Sequence, residues 1–356
     1  MRRALLAWYR RERRDLPWRR TRDPWAIWVS ETMLQQTRVE TVIPYYERFL
    51  ARFPTLETLA DAEPDELMQS WAGLGYYSRA RNLQAAARVV VREHAGLVPD
   101  EVETLLALPG VGRYTAGALA SIAFDRPAPI VDGNVARVLA RLLDLALDVS
   151  SPAGQRLLWS EAAALAAGPA PGDLNQALME LGALVCTPGA PRCPLCPLRR
   201  QCRGLAAGFA SALPVKAAKA ARRSVEAVAV LLSHGTRVLA VRRPPRGLLG
   251  GLWELPGGEL AAHEPPVSGL ARLLRERVGL APAHAIRVGE VKHGFTHRTL
   301  RLHVFQAEAP AGRVRLREFD AHRWLSPAAL GELPLSALAK KALGLVRGAG
   351  ASPDYT

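Results

Sequence analysis

The sequence predicts two folding units of different class, a mainly helical unit followed by an α/β unit. Up to about residue 204, apolar residues recur at intervals of three and four positions, with short breaks at Pro and Gly. This pattern is typical of packed helices. From Gly204 to Arg223 it is lost, and beyond Arg223 apolar and polar residues alternate as they do in half-buried β-strands. A helical unit followed by an α/β unit is therefore the simplest organisation.

The individual elements follow from these two periodicities. The clearest helices of the first unit are predicted at residues 79–93, 115–123 and 150–167. In the second unit we predict helices at residues 267–278 and near the C-terminus, and strands at residues 225–232, 237–241, 252–255, 286–291, 300–307 and 313–316. The predicted domains are a helical domain at 1–204, a linker at 205–223, an α/β domain at 224–347 and a tail at 348–356.

Composition and charge narrow the class of partner. Lys and Arg number 47 against 33 acidic residues, which gives a formal net charge of +14. Such an excess favours a polyanionic partner, because each neutralised phosphate releases counterions, although an Arg-rich codon usage would produce the same excess. No stretch reaches the roughly 20 apolar residues that span a bilayer. The apolar segment after Arg2 and Arg3 ends at Arg10, too short for a signal peptide, so we expect a cytoplasmic protein. We also expect a monomer, which in a bacterium would be associated with the nucleoid.

The cysteines of the chain lie close together in the sequence. They are Cys186, Cys193, Cys196 and Cys202. Because a cytoplasmic protein rarely keeps disulfides, four clustered thiolates indicate a metal site. Their spacing alone is compatible with zinc or with an iron–sulfur cluster, since both accept four thiolates.

A glycine-rich turn lies between two helical patterns, in Leu108-Pro109-Gly110-Val111-Gly112-Arg113. Glycines at this spacing let the backbone turn tightly and expose N–H groups near a helix start, which suits a phosphate, and Arg113 adds charge. Taken alone, Gly-Val-Gly is equally typical of a plain helix–helix turn. The turn is followed by Ile130-Val131-Asp132-Gly133-Asn134-Val135-Ala136-Arg137.

These segments resemble the helix–hairpin–helix and catalytic-aspartate motifs of the base-excision glycosylase superfamily that includes endonuclease III. The cysteine series resembles the 4Fe–4S loop of that superfamily. The resemblance implies a helix–hairpin–helix glycosylase domain at 1–204, in which the four cysteines at 186–202 bind a 4Fe–4S cluster with a structural role. The cluster would hold a basic loop near DNA. The arginines of this loop are Arg192, Arg199, Arg200 and Arg203.

Three further segments closely resemble one branch of this superfamily, the MutY-type adenine DNA glycosylases. They are Leu16–Arg19, Trp28–Thr37 and Gly73–Asn82, and the match runs in order over essentially the whole chain. The resemblance implies an enzyme that removes adenine opposite 8-oxoguanine from duplex DNA. It leaves open whether adenine opposite guanine is processed too.

One position bears on the type of reaction. Lyase-competent relatives carry a lysine directly after the hairpin arginine, where its amine forms a Schiff base with the sugar. Here that residue is Tyr114, and a phenol cannot form an imine. We therefore expect a monofunctional enzyme, which hydrolyses the N-glycosidic bond without efficiently cutting the strand.

The resemblance assigns the chemistry to Glu31 and Asp132, supported at the sugar by Tyr114 and Asn134. The apolar flanks of Glu31 predict a buried setting, which raises a carboxyl pKa and lets Glu31 donate a proton to adenine N7. N–H groups at a helix start would keep Asp132 ionised, to stabilise or covalently trap an oxocarbenium-like sugar. Taken alone, Glu31 is also typical of a solvated acid and Asp132 of a helix N-cap.

The same resemblance assigns residues that bind DNA. Those lining the pocket for the extruded adenine are Trp18, Arg19 and Glu180, and those of the hairpin on the DNA backbone are Gly110, Gly112 and Arg113. The strand-opening residues are Gln36, Thr37, Leu74 and Tyr76. Tyr76 would wedge into the base stack beside 8-oxoguanine. From the local sequence, Tyr76 and Tyr77 could instead form a buried aromatic pair, although the preceding glycines favour an exposed turn.

The second unit follows the frame of a Nudix box. The positions on pattern are Gly258, Glu264, Arg272, Leu274, Glu276, Gly279 and Leu280. Two positions that should be glutamates hold Leu273 and Arg277. Nudix hydrolases use such glutamates to hold Mg²⁺ against a pyrophosphate, so we expect a Nudix-like α/β domain that has lost this chemistry.

In MutY-type enzymes, a Nudix-like C-terminal domain recognises 8-oxoguanine. The resemblance places the recognition loop at His293-Gly294-Phe295-Thr296-His297, with Phe295, Thr296 and His297 as the contacting residues. The family commonly has Ser at the position of Thr296. Threonine keeps the hydroxyl that can accept the N7–H of 8-oxoguanine, which guanine lacks, but its methyl group alters the geometry. Locally, a strand-end turn capped by Thr would explain the segment as well.

Three rival functions remain open from the sequence. The first is an endonuclease III-like glycosylase and lyase acting on oxidised pyrimidines, which Tyr114 and the Nudix-like domain oppose. The second is a Nudix pyrophosphatase fused to a DNA-binding module, which Leu273 and Arg277 oppose. The third is a DNA-binding protein without catalysis, which the presence of both Glu31 and Asp132 in frame opposes.

Overall fold

The computed structural model describes residues 1–215, 223–245, 247, 249–295 and 298–349. The chain forms two compact units. One comprises Met1–Asp61 and Arg81–Lys219, and the other comprises Ala62–Ala80 and Ala220–Thr356. Among the described residues, no helix combines the length and the apolar character that crossing a membrane requires.

The chain is mainly helical up to residue 206. Its α-helices in order are α1 (Arg2–Glu12), α2 (Pro24–Leu34), α3 (Val39–Arg52), α4 (Leu56–Ala60), α5 (Pro64–Trp71), α6 (Ser78–Glu93), α7 (Val102–Leu106), α8 (Arg113–Ala118), α9 (Gly133–Leu143), α10 (Pro152–Ala166), α11 (Pro171–Leu184) and α12 (Arg203–Ala206). Short 3₁₀ helices lie at Pro17–Arg19, Cys193–Leu195 and Arg199–Gln201. The predicted helices are confirmed as α6, α10, and α8 with the π-helical turn Leu119–Ala123 that follows it.

Local capping and burial explain why the central helices of the first unit lie where they do. The side chain of Asp23 accepts hydrogen bonds from the N–H groups of Trp25 and Ala26, which fixes the start of α2. Almost all of α2 is buried, from Trp25 to Met33. Helix α11 packs against α9, α1 and the π-helical turn. The first unit therefore holds α2, α9 and α11 as rigid supports for side chains.

The second unit is built around one sheet. Its strands are β1 (Arg223–His234), β2 (Arg237–Arg242), β3 (Trp253–Glu254), β4 (Gly257–Glu259), β5 (Ile286–Gly294), β6 (Arg298–Glu308) and β7 (Ala321–Leu325). They follow the order β3-β2-β1-β6-β5, with β4 on β1 and β7 on β2, and only the β1–β6 pair among these is parallel. Helix α13 (Pro266–Val278) covers one face, and α14 (Pro327–Glu332) and α15 (Ala337–Ala349) contribute to the core on the other.

The predicted helical unit and the predicted α/β unit are both confirmed, but one predicted strand is wrong. Residues 313–316 form no strand; instead the N–H groups of Arg315 and Arg317 donate to the carbonyls of Val278 and Arg277 at the end of α13. Val314 and Leu316 pack into the core, and this produced the alternating pattern. Strands β4 and β7 were not predicted, and the strand predicted at 252–255 is only Trp253–Glu254.

Candidate active site

A cleft of about 810 Å³ in the first unit brings together side chains that are far apart in the sequence. Helices α2, α8, α9 and α11 and the 3₁₀ helix at Pro17–Arg19 contribute its walls. The predicted site residues that line it are Trp18, Arg19, Glu31, Gln36, Thr37, Gly110, Gly112, Arg113, Tyr114, Asp132, Asn134 and Glu180. Both carboxyl groups predicted to carry the chemistry thus face the same cleft.

Glu31 is a buried acid on α2, with only 4% of its surface exposed. Burial raises its pKa from 4.5 to about 7, and the neighbouring charge of Asp132 acts in the same direction. The hydroxyl of Tyr114 donates to Oε2 of Glu31 over 2.7 Å, which opposes the rise. Since burial also raises the pKa of Tyr114, the phenol keeps its proton. Glu31 is therefore not a solvated acid, and it can carry a proton near neutral pH.

Asp132 is held at the start of α9. Its Oδ1 accepts the N–H of Val135 over 2.7 Å, and its Oδ2 accepts Nδ2 of Asn134 over 3.0 Å. Burial raises the pKa of Asp132 above its usual range, and these two hydrogen bonds oppose the rise. Asp132 is thus a helix N-cap as well as a carboxyl group in the cleft wall.

Behind Asp132 lies a buried arginine that the sequence analysis did not identify. Nη2 of Arg137 donates to Oδ1 of Asn134 over 2.8 Å and to the carbonyl of Gly182 over 2.7 Å. Its Nε donates to the carbonyl of Cys186 over 2.7 Å. A hydrogen-bonded path therefore runs from Cys186 through Arg137 and Asn134 to Asp132. The sequence offered one indication of this role, since Arg137 and Arg141 lie one helical turn apart within the apolar sequence of α9.

Glu180 provides a second buried carboxyl group in the cleft, in a contrasting environment. Arg19 donates to it through Nη1 and Nη2, each over 2.9 Å, and Arg14 donates through Nε over 3.0 Å and Nη2 over 2.8 Å. These guanidinium groups lower the pKa of Glu180 to about 2 even though burial acts to raise it. Arg14 was missed because nothing distinguishes it from its neighbours in an arginine-rich segment. The result is a fixed anion beside Trp18.

The hairpin has the geometry that its glycines predict. Gly110 has a φ of 74°, and a Cβ atom there would lie 2.4 Å from Cβ of Asn82. This position therefore requires glycine on two counts. The guanidinium of Arg113 lies 3.9 Å above the ring of Trp159, so its side chain is stacked rather than freely extended.

In the second unit, the turn that carries Leu74 and Tyr76 is firmly held. Tyr76 has a φ of 48° and is 43% exposed, whereas Tyr77 is 5% exposed, so only Tyr77 is the buried aromatic. Nη2 of Arg79 donates to the carbonyls of Leu74 and Gly75 over 3.2 and 3.0 Å. Burial lowers the pKa of Arg79 to about 10. Arg79 thus organises an exposed, strained tyrosine, a role that its place in the motif alone did not reveal.

Cys186, Cys193, Cys196 and Cys202 line one small cavity, together with Arg141. Nη1 of Arg141 donates to Sγ of Cys186 over 3.3 Å, and the N–H of Leu198 donates to Sγ of Cys196 over 3.4 Å. In the described part of the chain, no three Cys, His, Asp or Glu side chains are grouped so that they could hold one metal ion.

The positions of the predicted Nudix box are engaged by other groups of the chain. Leu273 is 4% exposed within the core of the second unit. Nη1 of Arg277 donates to the carbonyl of Gly257 over 2.9 Å, and its Nη2 pairs with Glu318 over 2.6 Å. Arg272 pairs with Glu264 over 2.7 Å and with Glu276 over 3.0 Å. The acids that remain on the Nudix pattern are therefore bound to a cation of the chain itself.

The predicted recognition loop lies only partly within the described residues. Phe295 follows β5, with the ring of His293 at 4.7 Å and the guanidinium of Arg298 5.3 Å from its ring centre. Thr296 and His297 lie outside the described residues. The linker predicted at 205–223 is described up to Val215, whose carbonyl accepts the N–H of Val149.

Comparisons with known proteins match both units. Residues 29–152 match the family described as HhH-GPD superfamily base excision DNA repair protein, and residues 227–345 match the NUDIX domain. The adenine DNA glycosylase of Homo sapiens is 39% identical over 405 residues, covering 97% of this chain and 73% of the human protein. That of Schizosaccharomyces pombe is 33% identical over 408 residues, covering 96% and 88%. A solved thermostable thymine-DNA glycosylase is 31% identical with a TM-score of 0.54, covering 58% of this chain and 95% of that one.

The burial of Glu31 predicts a pH-dependent cost to stability. The folded carboxyl keeps its proton up to about pH 7, whereas the unfolded one loses it near 4.5. The contribution of Glu31 to folding stability is therefore fully present below pH 4.5 and is lost as the pH rises through about 7. The amide in Glu31→Gln cannot ionise. Between pH 5 and pH 8.5, we therefore expect the difference in free energy of unfolding between this variant and the wild type to shift by about 1 to 3 kcal/mol in favour of the variant.

Urea unfolding of both proteins at the two pH values measures this gain. Glu103→Gln, on an exposed residue, is the matched control and should differ from the wild type by the same amount at both pH values. A Glu31→Gln effect that does not change with pH would show that the carboxyl is not held protonated by burial.

Proposed function

Since the chain belongs to the family of adenine DNA glycosylases, enzymes of base-excision repair, we propose that it hydrolyses the N-glycosidic bond of adenine opposite 8-oxoguanine in duplex DNA. The observation that carries this proposal is the shared cleft of Glu31 and Asp132. Its volume of about 810 Å³ offers room for an extruded nucleotide. A net charge of +14 favours the polyanionic substrate.

Glu31 is the proposed general acid. Its pKa of about 7 lets it hold a proton at neutral pH and still give it up, the condition for efficient acid catalysis. The proton passes to N7 of adenine, so that the electron pair of the breaking N9–C1′ bond moves into the base. Tyr114, hydrogen-bonded to Glu31, fixes the orientation of the carboxyl group.

Asp132 is the proposed anionic partner. As the N9–C1′ bond breaks, positive charge develops on the deoxyribose, and a carboxylate beside it lowers the energy of that state. Asp132 then either forms a bond to C1′ that water later breaks, or holds the sugar cation until water adds. Asn134 and Val135 hold both of its oxygens in place during this step.

The same cleft provides a proposed adenine-binding wall. Glu180 and Arg19 present a flat, hydrogen-bonded pair of charged groups, and Trp18 presents an aromatic ring. Glu180 stays ionised because its pKa is about 2, so it can accept a hydrogen bond from the exocyclic amino group of adenine. In this proposal, Glu180 binds the base and Glu31 protonates it.

We also propose that the enzyme is monofunctional. The position that carries lysine in lyase-competent relatives lines the cleft here as Tyr114. Its hydroxyl is engaged with Glu31 and lies 3.2 Å from Sδ of Met179. A phenol has no amine to form an imine with the sugar, which opposes the endonuclease III-like alternative.

The cysteine loop is proposed to hold a 4Fe–4S cluster. Cys186, Cys193, Cys196 and Cys202 would supply the four thiolates, and N–H donors from Arg141 and Leu198 suit a negatively charged cluster. In such a cluster each thiolate binds a different iron, so the sulfur atoms need not converge on one ion. Its contribution when bound is to hold the basic loop that includes Arg199 and Arg203.

The second unit is proposed to recognise the lesion rather than to hydrolyse nucleotides. Leu273 lies in the core, and Arg277 binds Gly257, so neither offers a ligand to Mg²⁺. The loop at Phe295, Thr296 and His297 would contact 8-oxoguanine, with the hydroxyl of Thr296 accepting its N7–H. Tyr76 would enter the base stack beside the lesion, which its exposure favours.

Removing either carboxyl group should separate binding from catalysis. We expect Glu31→Gln and Asp132→Asn to bind a duplex with adenine opposite 8-oxoguanine while the rate of adenine release falls at least about 100-fold. Single-turnover assays on that duplex, with alkali added to break the strand at each abasic site, measure the rate. Glu103→Gln again serves as the control, and its rate should equal that of the wild type.

Near-wild-type rates in either carboxyl variant would refute the catalytic assignment. The same samples run without alkali test the reaction type, because a monofunctional enzyme leaves the strand intact. Efficient strand cutting by the wild type without alkali or heat would instead favour a glycosylase with lyase activity.

The metal content of the purified protein tests the cofactor proposal independently of activity. We expect about four irons and four acid-labile sulfides per chain, as a 4Fe–4S cluster requires. Zinc in place of iron would contradict the proposal, since a tetrahedral zinc site uses the same number of thiolates.

A further inference from the structure

Residues Ala62–Ala80 belong to the same compact unit as the β-sheet, although they lie early in the sequence. At the start of this segment, Oδ1 of Asp65 lies 3.5 Å from Nη1 of Arg242, and its Oδ2 lies 3.8 Å from Nη2 of Arg323. One turn further on, Nε2 of Gln69 donates to the carbonyl of Glu332 over 3.4 Å. Helix α5 is therefore tied to the sheet unit through its polar side chains.

The two arginines that meet Asp65 are themselves held in place. Arg242 lies on β2 and Arg323 on the adjacent strand β7. Their guanidinium groups lie 5.6 and 4.9 Å from the ring centre of Trp253, which is fully buried. Nε of Arg242 also donates to Asp320 over 2.8 Å. Asp65 thus meets cations whose positions are fixed by the sheet, which lowers the entropy cost of the contact.

At the other end of the segment, α5 is joined rigidly to the turn that carries Tyr76. Trp71, the last residue of α5, donates its indole N–H to the carbonyl of Gly75 over 3.2 Å. The guanidinium of Arg79 lies 5.4 Å from the ring centre of Trp71 and 5.5 Å from that of Tyr76. A displacement of α5 must therefore displace the turn.

We propose that Asp65 is a positioning residue that sets specificity for 8-oxoguanine. It links the turn of Tyr76 to the sheet that Phe295 follows, so that the wedging tyrosine and Phe295 approach one lesion nucleotide together. Strand β6, which follows the recognition loop, pairs with β1, and β1 pairs with β2, which bears Arg242. This inference rests on the proposed function of Tyr76 and of the loop.

The size of the expected effect follows from the exposure of these groups. The side chains of Asp65, Arg242 and Arg323 are partly exposed, and ion pairs of this kind contribute little to folding stability. Their loss should leave the thermal stability of the protein nearly unchanged. It should nevertheless alter the alignment of the turn with Phe295, and a five-fold change in rate corresponds to only about 1 kcal/mol.

The experiment compares Asp65→Asn and Arg323→Gln with the control Glu63→Gln, which removes a charge from an exposed residue next to α5. Single-turnover adenine release is measured on duplexes with 8-oxoguanine or guanine opposite the adenine. We expect the ratio of the two rates to fall about three- to five-fold in both test variants. Glu63→Gln should keep the wild-type ratio, and all three variants should keep the wild-type melting temperature.

A second variant distinguishes positioning from a general structural role. In a Tyr76→Ala background, where the wedge is absent, Asp65→Asn should cause no further fall in the ratio. An unchanged ratio in Asp65→Asn, an equal loss on both duplexes, or an undiminished effect in the Tyr76→Ala background would overturn the inference. A wild-type protein without any preference for 8-oxoguanine would instead overturn the proposed function on which it rests.

Discussion

The cleft depends on the contrast between two buried glutamates. Glu180 meets the guanidinium groups of Arg14 and Arg19, which lower its pKa to about 2. Glu31 meets the hydroxyl of Tyr114, and burial raises its pKa to about 7. The chemical difference between the two lies in their neighbours, since both are the same side chain in the same cleft. One is therefore a permanent anion suited to binding, and the other can deliver a proton.

Asp132, the second carboxyl group of the proposed reaction, is positioned by a chain of hydrogen bonds. Asp132 is bound by Asn134, Asn134 by Arg137, and Arg137 by the carbonyl of Cys186. Arg141, one turn along α9, binds the sulfur of the same cysteine. The order of the cysteine loop and the orientation of Asp132 are thus connected by hydrogen bonds with distances of 2.7 to 3.3 Å. A disturbance of the loop has a short physical route to the carboxylate.

The sequence was informative wherever the cause was local. The apolar residues around Glu31 predicted its burial. Pairings between distant residues, such as that of Glu180 with Arg14, were not predicted. Hydrophobic periodicity specifies which face of a helix or strand is buried, but not which polar groups meet there. The strand predicted at residues 313–316 failed for a related reason. Apolar and polar residues also alternate in a loop that runs past the end of a helix, as this one does at the end of α13, when every second side chain enters the core.

The pH dependence of adenine release under single-turnover conditions tests most directly whether Glu31 is the general acid. If protonated Glu31 drives the reaction, the rate falls as the pH rises above about 7, because ionisation removes the acid. In Tyr114→Phe the fall moves to higher pH, since the lost hydroxyl no longer stabilises the ionised carboxyl group. A rate that stays constant from pH 6 to pH 9, with no shift in the variant, would contradict the central role given to Glu31.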